Sequence, residues 1–144
     1  MPSSLAAFGN ACYLAAMNIH AAVSNRLDYA SIEKGLSARK VQDLIRSGAL
    51  AQEDVFRAIP ERTFKRRLAE KAKLRIEEAD AIARILRVNT LARWAFGDKL
   101  DAQRFLNLPN PALANRIPRI MAQTDAGARE VEAVLHRFVH GDYS

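Results

Sequence analysis

The chain has 144 residues, 49% hydrophobic and 26% charged, with a single cysteine, Cys12, and a formal net charge of +6. A chain of this length supports one ordinary core or two small helical units, and its composition is globular rather than disordered. The lone cysteine excludes a disulfide framework and a cysteine-based zinc site, and a basic excess gathered in one place favours a polyanionic partner such as nucleic acid.

The first stretch, Leu5 to Val23, is apolar and alanine-rich. Leu5, Phe8, Cys12, Ala15, Ile19 and Ala22 alternate three- and four-residue steps, the stripe of an amphipathic helix. It has no charged leader and is interrupted by Asn10, Asn18 and His20, so neither a signal peptide nor a membrane span is expected, and the setting is expected to be cytoplasmic. Residues 24–34 read as a connector or irregular helix leading to Gly35. From Ser37 to Ser47, Val41, Leu44 and Ile45 recur at helical spacing, and Gly48 stands where a helix stops. Ala51 to Ile59 gives a second short helix around Val55, Phe56 and Ile59, after which Pro60 presets the first turn of a third. Short helices in tight succession, the last one basic, outline a helix-turn-helix unit.

On that third helix Phe64 and Leu68 stand one turn apart as apolar anchors, while Arg62, Lys65 and Arg66 project from another face. Between Pro60 and Ile76, Arg62, Lys65, Arg66, Arg67, Lys71, Lys73 and Arg75 face only Glu61 and Glu70, a local excess of five positive charges. A basic run alone is often just a solvated face. In a helix-turn-helix setting the same charges gain groove-facing geometry, so Arg62, Thr63, Lys65, Arg66, Arg67, Lys71 and Lys73 are the expected DNA-binding residues. Most of these contacts would anchor phosphates, with one or two arginine forks on guanine edges.

Leu74 to Phe96 reads as one long helix, with Ile76, Ala79, Ile82, Ala83 and Leu86 on its apolar face. No Gly/Pro-rich linker precedes it, so the two halves of the chain should be rigidly coupled. Glu77, Glu78 and Asp80 suit the dipole at its start, and Trp94 and Phe96 suit core packing. Gly97 and Asp98 end it, a turn or two of helix follows from Leu100 to Leu106, and Pro109 to Pro111 breaks the chain. A short helix is expected at Ile117 to Met121, around Pro118. Thr124 can cap the last helix, where Val131, Val134, Leu135 and Phe138 face the core. With no sustained strand alternation, the expected fold is all-α. His136 and His140 are four apart, but no third ligand is evident, so they read as surface or interface histidines and no metal is expected. No glycine-rich phosphate cradle and no nucleophile–base set appears, so neither an enzyme nor a bound cofactor is expected.

These residues resemble the Xre/MbcA/ParS-type antitoxins of bacterial toxin–antitoxin operons. One block, Gly35 to Ser37 through Arg62 to Arg67 and Leu74, resembles the family's Xre-type helix-turn-helix. The other, Phe96 to Gly141, resembles its toxin-binding domain, with Ala102, Phe105, Leu106, Pro109, Asn110, Ala112, Leu113, Pro118, Thr124, Gly127, Val131, Leu135, Arg137, His140 and Gly141 in the expected order. Phe105 stands where such domains usually carry tryptophan, and Pro60 where a serine-type cap often opens the basic helix.

The resemblance implies an N-terminal helical extension over 1–34, a helix-turn-helix DNA-binding unit over 35–73 and, joined to it by the long helix, a toxin-binding domain over 74–144. It implies a cognate RES-domain toxin that consumes NAD, whose active site the antitoxin covers, and operator DNA through which the shared operon is repressed. It also implies a homodimer or a toxin–antitoxin hetero-oligomer. The C-terminal segment, with Arg137, His140, Gly141, Tyr143 and Ser144, would reach the toxin. The competing readings are a plain helix-turn-helix regulator whose C-terminal domain dimerises or senses a ligand, and a small enzyme using His136 or His140.

Overall fold

The computed structural model describes residues 29–141. The apolar stripe from Leu5 to Ala22, and Tyr143 and Ser144 at the other end, lie outside the described residues. The described chain is helical: α1 (Tyr29–Glu33), α2 (Ala38–Arg46), α3 (Gln52–Ala58), α4 (Glu61–Ala69), α5 (Ile76–Phe96), α6 (Lys99–Asn107), a 3-10 turn (Pro111–Leu113), α7 (Pro118–Met121) and α8 (Asp125–His140). No strand occurs among the described residues, where the extended pairings are two isolated bridges, Ser37 with Lys73 and Asn110 with Arg116. The all-α expectation is met. Among the described residues no helix is long and apolar enough to cross a membrane.

Local chemistry explains the helix ends. The Ser37 hydroxyl accepts from the Lys40 amide at 3.2 Å, which satisfies one orphan donor of α2. Pro60 occupies the cap position of α4 instead of its first turn, and since its ring offers no acceptor, α4 begins without a side-chain cap. The long helix starts at Ile76, not Leu74, because Leu74 is extended and buried and donates its amide to the Leu36 carbonyl at 2.8 Å. Glu78 then folds back on the Arg75 amide at 3.0 Å and closes a capping box. Ile76, expected on the apolar face, is exposed at this first turn. At the other end Gly97 takes the left-handed conformation at φ 66°, and Asp98 caps α6 by accepting from the Asp101 amide at 3.2 Å. With that cap α6 runs nine residues, longer than expected.

Two cores meet along α5. Its first half supplies Ala79, Ile82, Ile85 and Leu86 to a cluster with Leu36, Val41, Leu44, Leu50, Val55, Ile59 and Phe64. Its second half supplies Val88, Leu91 and Ala92 to a cluster with Ala102, Leu106, Leu113, Ala128, Val131 and Leu135. One rigid helix therefore belongs to both halves of the molecule. Arg93 near its end donates to the Gly48 carbonyl in the first half, and Arg84 near its middle donates to the Gln123 carbonyl in the second, at 2.9 Å. Phe138, expected in the second core, is 42% exposed and stands at its edge.

The seat of α8 is set by one glycine. The Thr124 hydroxyl accepts from the Gly127 amide at 3.0 Å, and this cap draws α8 so close to α7 that a β-carbon at Gly127 would lie 2.0 Å from the Met121 carbonyl oxygen. A backbone carbonyl held in a tight turn has little room to yield. Gly127→Ala is expected to lower stability by about 1–3 kcal/mol or somewhat more, the usual range for overpacking. The check is the urea midpoint of the purified variant; an unchanged midpoint would show that α7 and α8 separate freely.

Candidate functional site

The basic face of α4 is oriented by its anchor. Phe64 is buried, its ring centroid 6.0 Å from that of Phe56, and Leu68 packs beside it against the first core. Arg62, Lys65 and Arg66 consequently face solvent, and Thr63 is half-buried. Lys65 is paired with Glu61 one turn earlier, an exposed ion pair that competes only weakly with an incoming phosphate.

Two of the expected DNA contacts also make contacts within the fold. Arg67 turns inward and is ion-paired with Glu78 of α5, where its side chain is 12% exposed. Lys73 lies past the end of α4, donates its Nζ to the Lys34 carbonyl at 2.9 Å and covers Gly35. Both help to hold the first half together. Lys71 is exposed just beyond α4, in a left-handed turn at φ 54°. The solvent-facing set is thus Arg62, Lys65, Arg66, Lys71 and Lys73, with Thr63 at its margin.

The Arg67–Glu78 pair also ties α4 to α5. Burial raises the Glu78 carboxyl, but the hydrogen bond from Arg67, the Arg75 amide and the charges of both arginines outweigh it, so its pKa falls below the usual 4.5. A carboxyl depressed in the folded state stabilises the protein above its unfolded pKa, and that contribution is lost as pH falls through the depressed value.

A second buried pair joins the two halves. Asp54 on α3 is 1% exposed, and its Oδ1 lies 3.4 Å from the Nε of Arg119 on α7, which is 9% exposed; Arg57 approaches from the same helix at 3.5 Å. Arg119 also donates to the Gln103 Oε1 at 2.7 Å. Burial pushes the Asp54 carboxyl up from its ordinary 3.8, against the pull of Arg119 and Arg57. Nothing local announces this contact in the sequence, since its partners are distant along the chain.

A concavity lies wholly in the second half. Between the end of α5, α6, the Leu108 to Ala112 turn and the end of α8 is a cleft of about 710 Å³. Its wall is aromatic: Phe96 stands 5.3 Å from Phe105 and 4.8 Å from Phe138, centroid to centroid. Arg104, Asp101 and Arg137 mark its rim. The expected toxin-contact residues stand around its C-terminal end. Arg137 lines the cleft, His140 is exposed with its ring 6.5 Å from that of Trp94, and Gly141 ends α8 in the left-handed conformation at φ 68°. His136 and His140 stack nearly parallel, 8° apart, and among the described residues no group of three or more His, Cys, Asp or Glu could hold a metal ion. Phe105, Pro109, Asn110, Ala112 and Arg137 of its lining were named from the sequence as positions of the toxin-binding block, but not that they enclose a cleft, and Leu108 was not singled out.

Among the described residues the structure thus presents a helix with solvent-facing cations in the first half and an aromatic cleft in the second. The model of the antitoxin Xre/MbcA/ParS C-terminal toxin-binding domain matches residues 91–141. Proteins named antitoxin Xre are similar along most of the chain. One from Yersinia enterocolitica is 32% identical over 117 residues, 79% of each chain. One from Pseudomonas putida is 28% identical over 110 residues, 76% of this chain and 69% of its own, and one from Photorhabdus laumondii is 30% identical over 115 residues, 78% of each. The chain belongs to the Xre antitoxin family and carries its C-terminal toxin-binding domain. As a member of a family of antitoxins it is not an enzyme.

Proposed function

We propose that this antitoxin neutralises a cognate RES-domain toxin that consumes NAD and represses the operon the two share. The observation that carries the toxin half is the match of the toxin-binding family across residues 91–141, a segment that contains every residue lining the cleft. The operator half is supported by the solvent-facing cations of α4 on their buried Phe64 anchor. In this reading residues 1–34 form an extension, 35–73 the helix-turn-helix DNA-binding unit and 74–144 the toxin-binding domain, in a cytoplasmic homodimer or hetero-oligomer. Because α5 contributes Ile82, Ile85 and Leu86 to the first core, the toxin-binding domain works best with the DNA-binding unit attached. The segment with Arg137, His140, Gly141, Tyr143 and Ser144 contributes to covering the toxin's active site.

Co-expression tests this directly. A RES-domain toxin that arrests growth alone should be tolerated, and co-purify, when the antitoxin is supplied. Arrest that persists with soluble antitoxin present would overturn the toxin assignment. If the operon promoter is bound all the same, the chain is instead a plain regulator.

A further inference from the structure

We infer that the aromatic cleft is the seat of an apolar segment of the toxin that carries a carboxylate beside its apolar side chains; this rests on the proposed partnership with a toxin. Leu108 and Phe138 remain 57% and 42% exposed and both line this cleft, whereas Ile76, Leu100 and Ile120, also exposed, lie outside its lining. Phe96 and Phe105 complete a continuous apolar floor with them. The volume, about 710 Å³, equals that of a small-molecule pocket, but such pockets hold buried, convergent polar groups that orient a ligand. Here the charged groups stand at the rim and are exposed, and the Asn110 side chain is already engaged by the Ala112 amide at 2.8 Å. An apolar centre within a polar rim is the anatomy of a protein interface, whose anchors are large side chains set into pockets.

The rim selects the charge of the occupant. Asp101 is offset by Arg104 at 3.5 Å on the same helix. Arg137 makes a weak 3.4 Å bond from its Nε to the Ala133 carbonyl of its own helix, and among the described residues no carboxylate pairs with it. The rim is therefore net positive, and the complementary side chain is an aspartate or glutamate. A leucine, phenylalanine or methionine of the toxin would fill the floor, with that carboxylate meeting Arg137 in a charge-assisted pair.

The test measures toxin affinity for the full antitoxin and for Leu108→Asp, Phe138→Ala and Arg137→Glu, with Leu100→Asp as an equally exposed control outside the cleft. Leu108→Asp and Phe138→Ala should each weaken binding on the order of 30-fold, the effect of losing a hot-spot anchor. Arg137→Glu should weaken it and flatten its salt dependence, while Leu100→Asp stays near wild type. Thermal melts confirm that the variants fold, and since Leu108 and Phe138 lie on different elements, one suffices if the other fails. If wild type binds the toxin and all variants match it, the cleft assignment is overturned and the partnership stands. If wild type itself does not bind, both are overturned. If Leu108→Asp instead changes the oligomeric state and leaves toxin affinity intact, the cleft is a contact between copies of this chain, which also overturns the inference.

Discussion

Replacing Arg119 by alanine should destabilise the protein by about 3–5 kcal/mol, the usual result of leaving a buried charge without its partner. The variant leaves the Asp54 carboxylate, 1% exposed, with the same-helix Arg57 at 3.5 Å and the Asn89 side chain to offset it. It also removes the bond to Gln103 and with it the polar joint between α3 and α6 across α7. The effect should depend on pH in a defined direction. Burial already raises the Asp54 pKa, so the folded state binds this proton more tightly than the unfolded state. Stability from this group is then greater below the ordinary aspartate range and falls as pH rises toward the raised value. Without Arg119 the raise grows, so the deficit of the variant should be largest near neutrality and shrink toward pH 4. Urea unfolding of wild type and variant at both ends of that range gives the answer. Asp54 Oδ2 has no hydrogen-bond partner among the described residues, so replacing both members together, Asp54→Leu with Arg119→Met, should be far milder than either single change. A deficit that is small and flat with pH would mean that the pair is open to water.

Arg62→Ala combined with Arg66→Ala should weaken operator binding by roughly 2 kcal/mol, about 30-fold, at about 1 kcal/mol per arginine contact. Neither side chain carries a hydrogen bond or ion pair that the fold needs, and both face solvent from a helix held by Phe64 and Leu68, so stability should hardly change. If both arginines meet phosphates, the slope of log affinity against log salt should flatten by about two. A loss confined to one base position would mean direct reading of that base. Arg67→Ala should behave differently: it removes the buried tie between α4 and α5 and leaves Glu78 with Arg75 alone, so its first effect should be on folding rather than on salt dependence. Binding isotherms of the double variant at two salt concentrations decide the matter, and unchanged affinity and slope would remove α4 from the operator contact.

The parts of this molecule that were legible in its sequence are those set by near neighbours. Helical spacing marked α2, α3, α5 and α8, proline marked the starts near α4 and α7, and Thr124 marked the cap of α8, because each signal acts within a turn or two. The solvent-facing trio of α4 followed from the position of Phe64 alone. Long-range choices were not legible. Arg67 looked like its neighbours Arg62 and Arg66 until the fold put Glu78 within reach, and Lys73 until it put the Lys34 carbonyl there. Asp54 and Arg119 carried no mark of their pairing. Phe138 fitted the apolar period of α8, but at the last turn of the helix the core has ended, and the same side chain becomes part of a cleft. Ile76 fails at the other end of α5 for the same reason.

If the second half of this chain silences a RES-domain enzyme, as proposed, the toxin's activity reports it. The direct measurement is NAD consumption by the purified toxin, titrated with the antitoxin. Consumption should fall to baseline at a fixed stoichiometric ratio, and deleting His140 to Ser144 should shift the curve to higher antitoxin concentrations while the helical signal is kept. Full NAD consumption in the presence of excess folded antitoxin would contradict it.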